Sequence, residues 1–299
     1  MINKTLYAYI DINNPIVAWE IAIGRICSAC DSKDNFGISL WMYGKFLSVA
    51  QQRTTYNAPL IKNEFKLELV RQKYFPEKVS RGTGVFLFES VGDAKRAIET
   101  WFPKDKTHGE RINSITQVNF SANKLTRVDS NWISEFLCKD TGENDEWIHN
   151  YWKGNNFNDN PIYEVIASGI GMIMNDELRI NAYKKILQIW PTSTPLLSMA
   201  SCAFAYKKIE NIALMKCALI SDESKKIKGS AWINIEDLKR NEKEIIHALS
   251  IAKEKNELPP MILPNGEDAF FQLPDMRNFA FELNQNELEY YLSKFTKQS

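Results

Sequence analysis

The sequence predicts an α+β fold in which residues 1–174 mix strands and helices and residues 175–299 form an all-helical C-terminal domain. Short runs of β-branched and aromatic residues are scattered among amphipathic patterns as far as Met174. From Asp176 onward, almost every apolar pattern has helical spacing instead. The composition, 44% hydrophobic and 25% charged, is typical of a folded globular protein.

The first strand is predicted at residues 5–11, TLYAYID, which are rich in aromatic and β-branched side chains. Asn14 and Pro15 then supply a helix cap and a first-turn proline. Apolar residues at helical spacing extend this predicted helix to Cys30. A second helix is predicted over residues 59–75, because the proline that follows ends the amphipathic pattern.

A polar, glycine-containing turn at residues 80–84 precedes a short buried strand at residues 85–88, VFLF. The pattern then predicts a helix over residues 93–102. Two further strands are predicted at residues 114–119 and 124–129, joined by a turn.

Two helices are predicted next, over residues 131–137 and 145–152. Residues 161–167 and 170–174 then look like two strands, because Ser168-Gly169 between them is typical of a turn. The strands of this first segment are therefore interspersed with helices rather than grouped.

In the second segment, Asp176 is the predicted cap of a helix over residues 176–190. Further helices are predicted over residues 195–206 and 235–258, and a last one over residues 284–297. No flexible linker marks the boundary near residue 175, so we expect the two segments to pack together.

Charge and apolar patterning exclude several classes of protein. The chain has 37 basic and 37 acidic residues, so no net charge attracts it to nucleic acid or to a membrane surface. No apolar run is long enough to cross a bilayer, and the N-terminus lacks the features of a signal peptide. We therefore expect a cytoplasmic protein with no membrane partner, whose five cysteines are reduced.

No metal site is predicted. Cys27 and Cys30 have the spacing of half a zinc or redox motif, but no second Cys/His pair follows at a matching distance. The three histidines stand alone in the sequence. Buried structural thiols are therefore the favoured interpretation of the two cysteines.

Glu164 is the strongest candidate for chemistry. Along its predicted strand it alternates with Ile162 and Ile166, so it belongs to the apolar face, where a core residue is expected. Ser80 and Arg81 precede another buried strand, which would hold a polar, cationic turn on a rigid element near a bound diphosphate. The alternatives are an edge-strand Glu164 facing water, and a Ser80-Arg81 turn that merely pairs with a nearby acidic residue of the chain.

Four segments stand out in order along the chain: Glu64-x3-Glu68-x2-Arg71-x3-Phe75-Pro76, Ser80-Arg81-x3-Phe86-x-Phe88, Tyr151-Trp152-x-Gly154 and Pro161-x-x-Glu164. In this order and spacing they resemble a family of bacterial and phage ADP-ribosyltransferase-like proteins. That family includes toxins of phage-defence systems that combine toxin, antitoxin and chaperone. The resemblance covers about residues 5–190, and each motif is short.

The resemblance implies a split β-sandwich that holds NAD in a cleft, with residues 1–174 as the NAD-binding catalytic domain. It places Glu164 as the catalytic carboxylate beside the nicotinamide ribose. The first-strand position that holds His or Arg in the family is Ala8 here, or else one of the flanking tyrosines, Tyr7 or Tyr9, replaces it. Either is a departure from the pattern. The implied NAD-binding residues are Tyr7, Tyr9, Ser80, Arg81, Thr83, Tyr151 and Trp152. For the last two, a place in the core is an equally supported interpretation.

The function implied is that of an NAD-dependent ADP-ribosyltransferase toxin acting in antiphage defence. RNA is the favoured acceptor, and a protein acceptor is the alternative; a protein antitoxin and a chaperone are the implied partners. Lysine clusters could contact phosphates, although such runs are usually solvated faces: Lys184-Lys185, Lys207-Lys208 and Lys225-Lys226-x-Lys228. The other interpretation keeps the fold without catalysis, as a module that binds a nucleotide or a partner, and the Ala8 departure favours it.

Overall fold

The computed structural model describes residues 1–29, 37–52, 58–102, 107–142, 144–221, 226–255 and 271–283. Their strands are β1 (Ile2–Tyr9), β2 (Arg25–Cys27), β3 (Val85–Phe88), β4 (Ile115–Asp129), β5 (Tyr163–Ile173), β6 (Leu214–Ser221), β7 (Ile227–Asn234) and β8 (Phe281–Leu283). Their helices are α1 (Pro15–Ile23), α2 (Leu40–Gln52), α3 (Ala58–Tyr74), α4 (Val91–Trp101), α5 (His108–Asn113), α6 (Asn131–Phe136), α7 (Glu146–Lys153), α8 (Asp176–Ile189), α9 (Thr194–Lys207), α10 (Glu236–Arg240) and α11 (Glu242–Lys255).

The predicted α+β class is confirmed: the helices surround two antiparallel sheets. The first sheet has the order β2-β5-β3-β1-β4, and β4 also pairs with β5. Strand β4 pairs with both β1 and β5 at Phe120, which lies opposite Lys4 of β1 on one side and Gly171 of β5 on the other. The sheet therefore closes on itself, and β5 lies at its centre between β4 and the pair β2 and β3.

The central strand β5 runs unbroken through Gly169, so the prediction of two strands joined by a turn is wrong. Gly169 has φ of +142°, and a Cβ there would lie 2.2 Å from the carbonyl oxygen of Ser121. Only glycine allows this close approach to β4. The turn predicted between residues 119 and 124 is likewise a β-bulge between Ala122 and Lys124, inside the single strand β4.

Helix α1 begins as predicted and ends early. The Asn14 side chain accepts a hydrogen bond from the Ile16 backbone at 3.2 Å, which confirms the cap. Gly24, with φ of +98°, then ends the helix in the left-handed conformation. The predicted extension of the helix is wrong for residues 25–27, because they form strand β2, which pairs with β5. Cys30 lies outside the described residues.

The prediction of an all-helical second segment is wrong. β6, β7 and β8 form a three-stranded antiparallel sheet within residues 175–299. The signal was present in β7, where Ile227, Ala231 and Ile233 are buried while Lys228 and Trp232 are exposed. This period-2 alternation is typical of a strand, although the sequence analysis predicts no element over residues 227–234.

Several helices are confirmed to within one residue at each end, namely those predicted over 59–75, 131–137, 145–152, 176–190 and 195–206. The long helix predicted over 235–258 is divided at Asn241 into α10 and α11, and its last residues lie outside the described ranges. The last predicted helix, residues 284–297, also lies outside them.

The two segments share one hydrophobic core, which runs from Leu6 in β1 to Leu283 in β8. Polar contacts cross between them as well. The Trp19 indole donates to the carbonyl oxygen of Ala213 at 2.8 Å. Buried Arg25 donates to the carbonyl oxygen of Ile212 at 3.0 Å. In the described ranges of the chain, none of the helices is both long and apolar enough to cross a membrane.

Candidate functional site

Five side chains from five elements meet at the buried face of the first sheet. Glu164 comes from the central strand β5, Arg81 from the turn before β3, Glu64 from α3, Tyr151 from α7 and Lys45 from α2. We call this set the Arg81 network. It holds two cations and two carboxylates, so its charges balance.

Arg81 joins the members of the network. Its Nε and Nη2 donate to the two carboxylate oxygens of Glu64 at 3.0 and 3.1 Å, which is a bidentate pair. Its Nη1 donates to Glu164 Oε1 at 2.9 Å and to Tyr151 Oη at 2.5 Å. Lys45 Nζ reaches Glu64 Oε1 at 2.9 Å, so Glu64 contacts both cations.

The protonation of the network follows from burial and charge. Burial raises the pKa of Glu64, but Arg81 and Lys45 outweigh it and lower that pKa to about 2. Burial lowers the pKa of Arg81, whereas Glu64, Tyr151 and Glu164 together raise it well above its ordinary value. Burial, together with Glu164, raises the pKa of Tyr151. Around neutral pH, Arg81 is therefore charged and Tyr151 is a neutral hydroxyl that donates.

Glu164 faces inward beside Ile162 and Ile166, as the alternation of its strand predicts, and it is only 2% exposed. It accepts hydrogen bonds from Arg81 and, at 2.8 Å, from Tyr151 Oη. Both contacts end on Oε1, and no hydrogen bond from a described residue reaches Oε2. Oε1 is thus held in place, while the lone pairs of Oε2 accept no hydrogen bond from the described residues.

Ser80 has a structural partner. Its hydroxyl donates to Glu68 Oε2 at 2.8 Å and accepts from the backbone N–H of Gly82 at 3.0 Å. Arg71 in turn holds Glu68 with three hydrogen bonds of 2.7–3.1 Å. The sequence left open whether this turn only pairs with a nearby acidic residue, and Ser80 does pair in this way, with Glu68. Arg81 instead contacts Glu64 and Glu164 in the Arg81 network.

The turn around Arg81 is also fastened by its backbone. The carbonyl oxygen of Gly82 accepts from Ser39 N–H at 2.7 Å, and that of Thr83 accepts from Ala29 N–H at 2.8 Å. Thr83 therefore lies in the turn beside Arg81. The segments before α2 and after β2 hold this turn against β5.

A row of aromatic rings extends the site toward β1. The Tyr9 ring meets Trp41 at 6.2 Å between centroids, and Trp41 meets Phe86 at 6.0 Å. The Arg81 guanidinium lies 4.9 Å from the centroid of Phe86. Tyr9 is thus connected to the Arg81 network through two further rings.

Tyr7 and Trp152 lie elsewhere. Tyr7 pairs with Phe88 across β1 and β3 and packs in a small cluster with Trp101. Trp152 is completely buried, and its indole donates to the carbonyl oxygen of Leu67 at 2.9 Å. Of the two interpretations that the sequence left for Trp152, the structure shows the core position.

Two residues of the site, Trp41 and Lys45, had no role in the sequence analysis, and Glu64 appeared there only as the first residue of a resemblance motif. A signal existed for Glu64, because Leu60, Glu64 and Leu67 share the buried face of α3 at helical spacing. An acidic residue in an apolar stripe needs a partner. Lys45 carried no comparable signal, since a lysine on a half-buried helix is ordinary.

Across the described ranges, no three His, Cys, Asp or Glu side chains come together in a way that could hold a metal ion. Cys202 and Cys217 are buried, and burial raises the pKa of both thiols, to about 11 for Cys202. These two cysteines are therefore unreactive structural thiols.

The fold and the site define an α+β protein with a buried, charge-balanced network on the central strand of a self-closing sheet. Residues 45–177, less than half of the chain, match the model of a family described as "Protein of unknown function (DUF2441)". The matched segment contains the whole Arg81 network, from Lys45 to Glu164. No curated protein and no solved structure matches the chain.

Proposed function

We propose that this chain is an NAD-dependent ADP-ribosyltransferase with Glu164 as its catalytic carboxylate. One observation carries the proposal: a glutamate on the apolar face of the central strand is anchored through Oε1 by Arg81 and Tyr151 and keeps Oε2 for a ligand. Buried carboxylates fixed in this way are typical of functional sites. The resemblance of the motif order to ADP-ribosyltransferase-like proteins, with the split β-sandwich it implies, supports the same function.

The reaction would break the bond between nicotinamide and C1′ of the ribose. Nicotinamide leaves with the bonding electron pair, and the sugar becomes oxocarbenium-like, as in glycoside hydrolysis. Glu164 Oε2 accepts the ribose 2′-hydroxyl hydrogen bond and stabilises the positive charge more in the transition state than in the ground state. The acceptor then forms the new bond to C1′ and loses its proton to solvent or to a basic group.

The other members of the network position Glu164 and balance its charge. Arg81 spends its three donor nitrogens on Glu64, Tyr151 and Glu164, so it orients the carboxylate rather than binding the diphosphate. Lys45 is the more exposed of the two cations, with 24% of its side chain accessible against 5% for Arg81. In this proposal Lys45 therefore receives the diphosphate of NAD.

NAD binding would require the site to open. Glu164 is only 2% exposed, and its carboxylate contacts Arg81 and, from α7, Tyr151. The half-buried rings of Tyr9 and Trp41 lie at the end of the aromatic row that starts at Arg81. Trp41 and Lys45 are both carried by α2, so a movement of this helix would separate the two side chains from Phe86 and Glu64 together.

The acceptor proposed is RNA, with a protein acceptor as the alternative, in a cytoplasmic toxin that acts in antiphage defence. A protein antitoxin and a chaperone are the proposed partners. The motif order described above supports these assignments. The balanced charge of 37 basic and 37 acidic residues means that a local surface, rather than the net charge, would recognise RNA.

The proposal is tested by incubating the protein with labelled NAD and cell lysate, and then treating aliquots with nuclease or with protease. Nuclease-sensitive label identifies a nucleic-acid acceptor, and protease-sensitive label identifies a protein acceptor. Glu164→Gln is expected to lower the rate about 10²–10³-fold, the usual loss of one preorganised electrostatic group. Glu89→Gln, at an exposed ion pair with Arg127, is the control and should keep the full rate. Equal rates in both variants would exclude Glu164 as the catalytic group.

A binding module without catalysis is the second candidate function. Two observations favour it: Glu164 is sealed from solvent, and Ala8, buried at 1% exposure, stands where the resembled family has His or Arg. Such a module would bind NAD measurably by calorimetry and would incorporate no label into any acceptor. Its expression would also leave cells unharmed.

A further inference from the structure

A cavity separate from Glu164 lies between the two sheets. It is a partly open cleft with an empty volume of about 570 Å³, a figure that includes open solvent. Its walls come from the residues after β2, the start of α2, and strands β6 and β7. A ligand bound here would therefore lie partly in solvent.

Trp232 on β7 lines this cavity and is 37% exposed. All eight tryptophans of the chain lie in the described ranges, and the other seven are less exposed than Trp232. The accessible part of this indole is therefore available to a ligand that enters the cavity. Its flat face suits another ring.

Lys216 on β6 lies directly opposite Trp232 in the antiparallel register and lines the same cavity. Side chains that face each other in this way lie about 5 Å apart at their Cβ atoms. Within the described ranges Lys216 forms no ion pair. The Lys216 ammonium group therefore lies beside the Trp232 indole, where it can donate a hydrogen bond to a ligand that is stacked on the ring.

Among the described residues, the rest of the cavity wall is apolar or already paired. Glu20 lines it, but both of its oxygens accept hydrogen bonds from Arg25, and Oε1 also accepts from Met215 N–H at 2.8 Å. Ile38 and Leu214 provide aliphatic surface. Of the described residues that line the cavity, Lys216 is then the charged one without an ion-pair partner, and it favours an anion.

We infer that this cavity binds a nucleotide, with the base stacked on Trp232 and a phosphate paired with Lys216. Stacking of a base on an aromatic side chain contributes to affinity for any base, because every base has a π face. The adjacent ammonium group selects phosphate-bearing rings over neutral ones. The nucleotide is either free or part of a single-stranded nucleic acid.

The cavity is linked to the Arg81 turn while remaining distinct from it. Ala29 and Ser39 line the cavity, and their backbone N–H groups are the ones that hold Thr83 and Gly82. A nucleotide in the cavity would therefore lie behind the turn whose other side carries Arg81. The inference depends on Trp232 and Lys216, and it stands whether or not Glu164 is catalytic.

The test is a binding measurement on the full chain by calorimetry with AMP and by fluorescence polarisation with a labelled ten-nucleotide single-stranded RNA. Trp232→Ala should weaken binding about 5- to 150-fold, the usual effect of losing one base stack, and Trp232→Phe should restore most of it. Lys216→Ala should weaken binding and reduce its dependence on salt. Lys253→Ala and Ile246→Ala, at exposed positions on α11, are the matched controls and should bind as the unmodified chain does.

Tighter binding of the RNA than of AMP assigns the cavity to single-stranded nucleic acid, and equal or weaker binding assigns it to free nucleotides; both support the inference. Absence of binding for both probes at millimolar concentration overturns it. Binding that Trp232→Ala leaves unchanged overturns it too. Glu164→Gln should retain binding in the cavity, so a failure of the proposed transferase reaction is distinguishable from a failure of this inference.

Discussion

At the scale of residues, Arg81 is the side chain on which the candidate site depends. It is 4% exposed, and it neutralises two buried carboxylates, Glu64 and Glu164. A buried carboxylate without a cation is far less stable than one in water, because no Coulomb attraction offsets the free-energy cost of its desolvation. Arg81 therefore stabilises the fold as well as the geometry of the site.

Replacing Arg81 with Ala should lower the free energy of unfolding by about 3–5 kcal/mol, since it leaves buried charges unpaired. The measurement is urea denaturation at neutral pH. Arg240→Ala is the matched control, because Arg240 pairs with Asp237 but is 78% exposed in its side chain. An exposed pair of this kind contributes less than about 1 kcal/mol. Similar losses in both variants would contradict the role assigned to Arg81.

The lowered pKa of Glu64 predicts how stability depends on pH. Its pKa falls from 4.5 to about 2 on folding, so folding favours the ionised form. The contribution, about 3 kcal/mol, is fully present above about pH 4.5 and is lost as pH falls toward 2. Urea midpoints between pH 7 and pH 3 should show the unmodified chain losing stability relative to Glu64→Gln. Parallel curves for the two proteins would be the contrary result.

At the scale of elements, single residues decide where strands and helices end. Gly169 lets β5 continue next to β4, whereas the dipeptide Ser168-Gly169 in the sequence alone is typical of a turn. Asn175, not the predicted Asp176, caps α8: its side chain accepts from Leu178 N–H at 3.0 Å. Each of these positions yields a matched pair of substitutions.

Gly169→Ala should destabilise the protein by about 2 kcal/mol or more, because its φ is unfavourable for an L side chain and the new Cβ would collide with Ser121. Gly109→Ala is the control. A Cβ at Gly109 meets nothing within 4 Å, and in helix α5 this change should be neutral or stabilise by up to about 1 kcal/mol. Thermal unfolding of both variants checks the pair, and a stable Gly169→Ala protein would show that β5 is not continuous.

Asn175→Ala should cost about 1 kcal/mol, the usual loss of a side-chain cap. Asp176→Ala should cost less than about 0.5 kcal/mol, because Asp176 contributes only an exposed contact with Arg179 at 3.6 Å and its charge near the start of the helix. Chemical denaturation distinguishes the two. A larger loss from Asp176→Ala would return the cap to the position that the sequence predicted.

At the scale of the whole molecule, the boundary near residue 175 is bridged by polar contacts that neither segment can make alone. Arg25 is fully buried and donates to the carbonyl oxygens of Glu210 and Ile212, while Glu20 accepts from Met215 N–H. Helix α1, whose residues are almost all buried, packs on α8 and α9. The two segments are energetically one unit around α1.

A fragment of residues 1–174 should therefore fail to unfold cooperatively, because α1 would expose an apolar surface and Arg25 would lose two acceptors. Near-ultraviolet circular dichroism during heating measures this against the full chain. A sharp transition close to that of the full chain would show instead that residues 1–174 are an independent domain.

Local signals in the sequence predicted a large share of the fold. Helix caps such as Asn14 and terminating prolines act on the nearest residues, so five of the helices between residues 58 and 207 were predicted to within one residue at each end, whereas α5 was not predicted. The alternation of Ile162, Glu164 and Ile166 likewise predicted an inward carboxylate, because strand period is a local property.

Other features depend on residues that are distant in the chain, and local patterns specify them only in part. The alternation in β7 indicates a strand, but no local pattern specifies its pairing with β6 and β8, and β8 follows β7 only after α10 and α11. The pairing of Arg81 with Glu164 joins residues 83 positions apart. The sequence alone determined that Glu164 shares a strand face with two isoleucines. The tertiary structure decided that this face is buried and which cation and hydroxyl hold the carboxylate, since a buried charge is stable only where folding brings its partners within hydrogen-bonding distance.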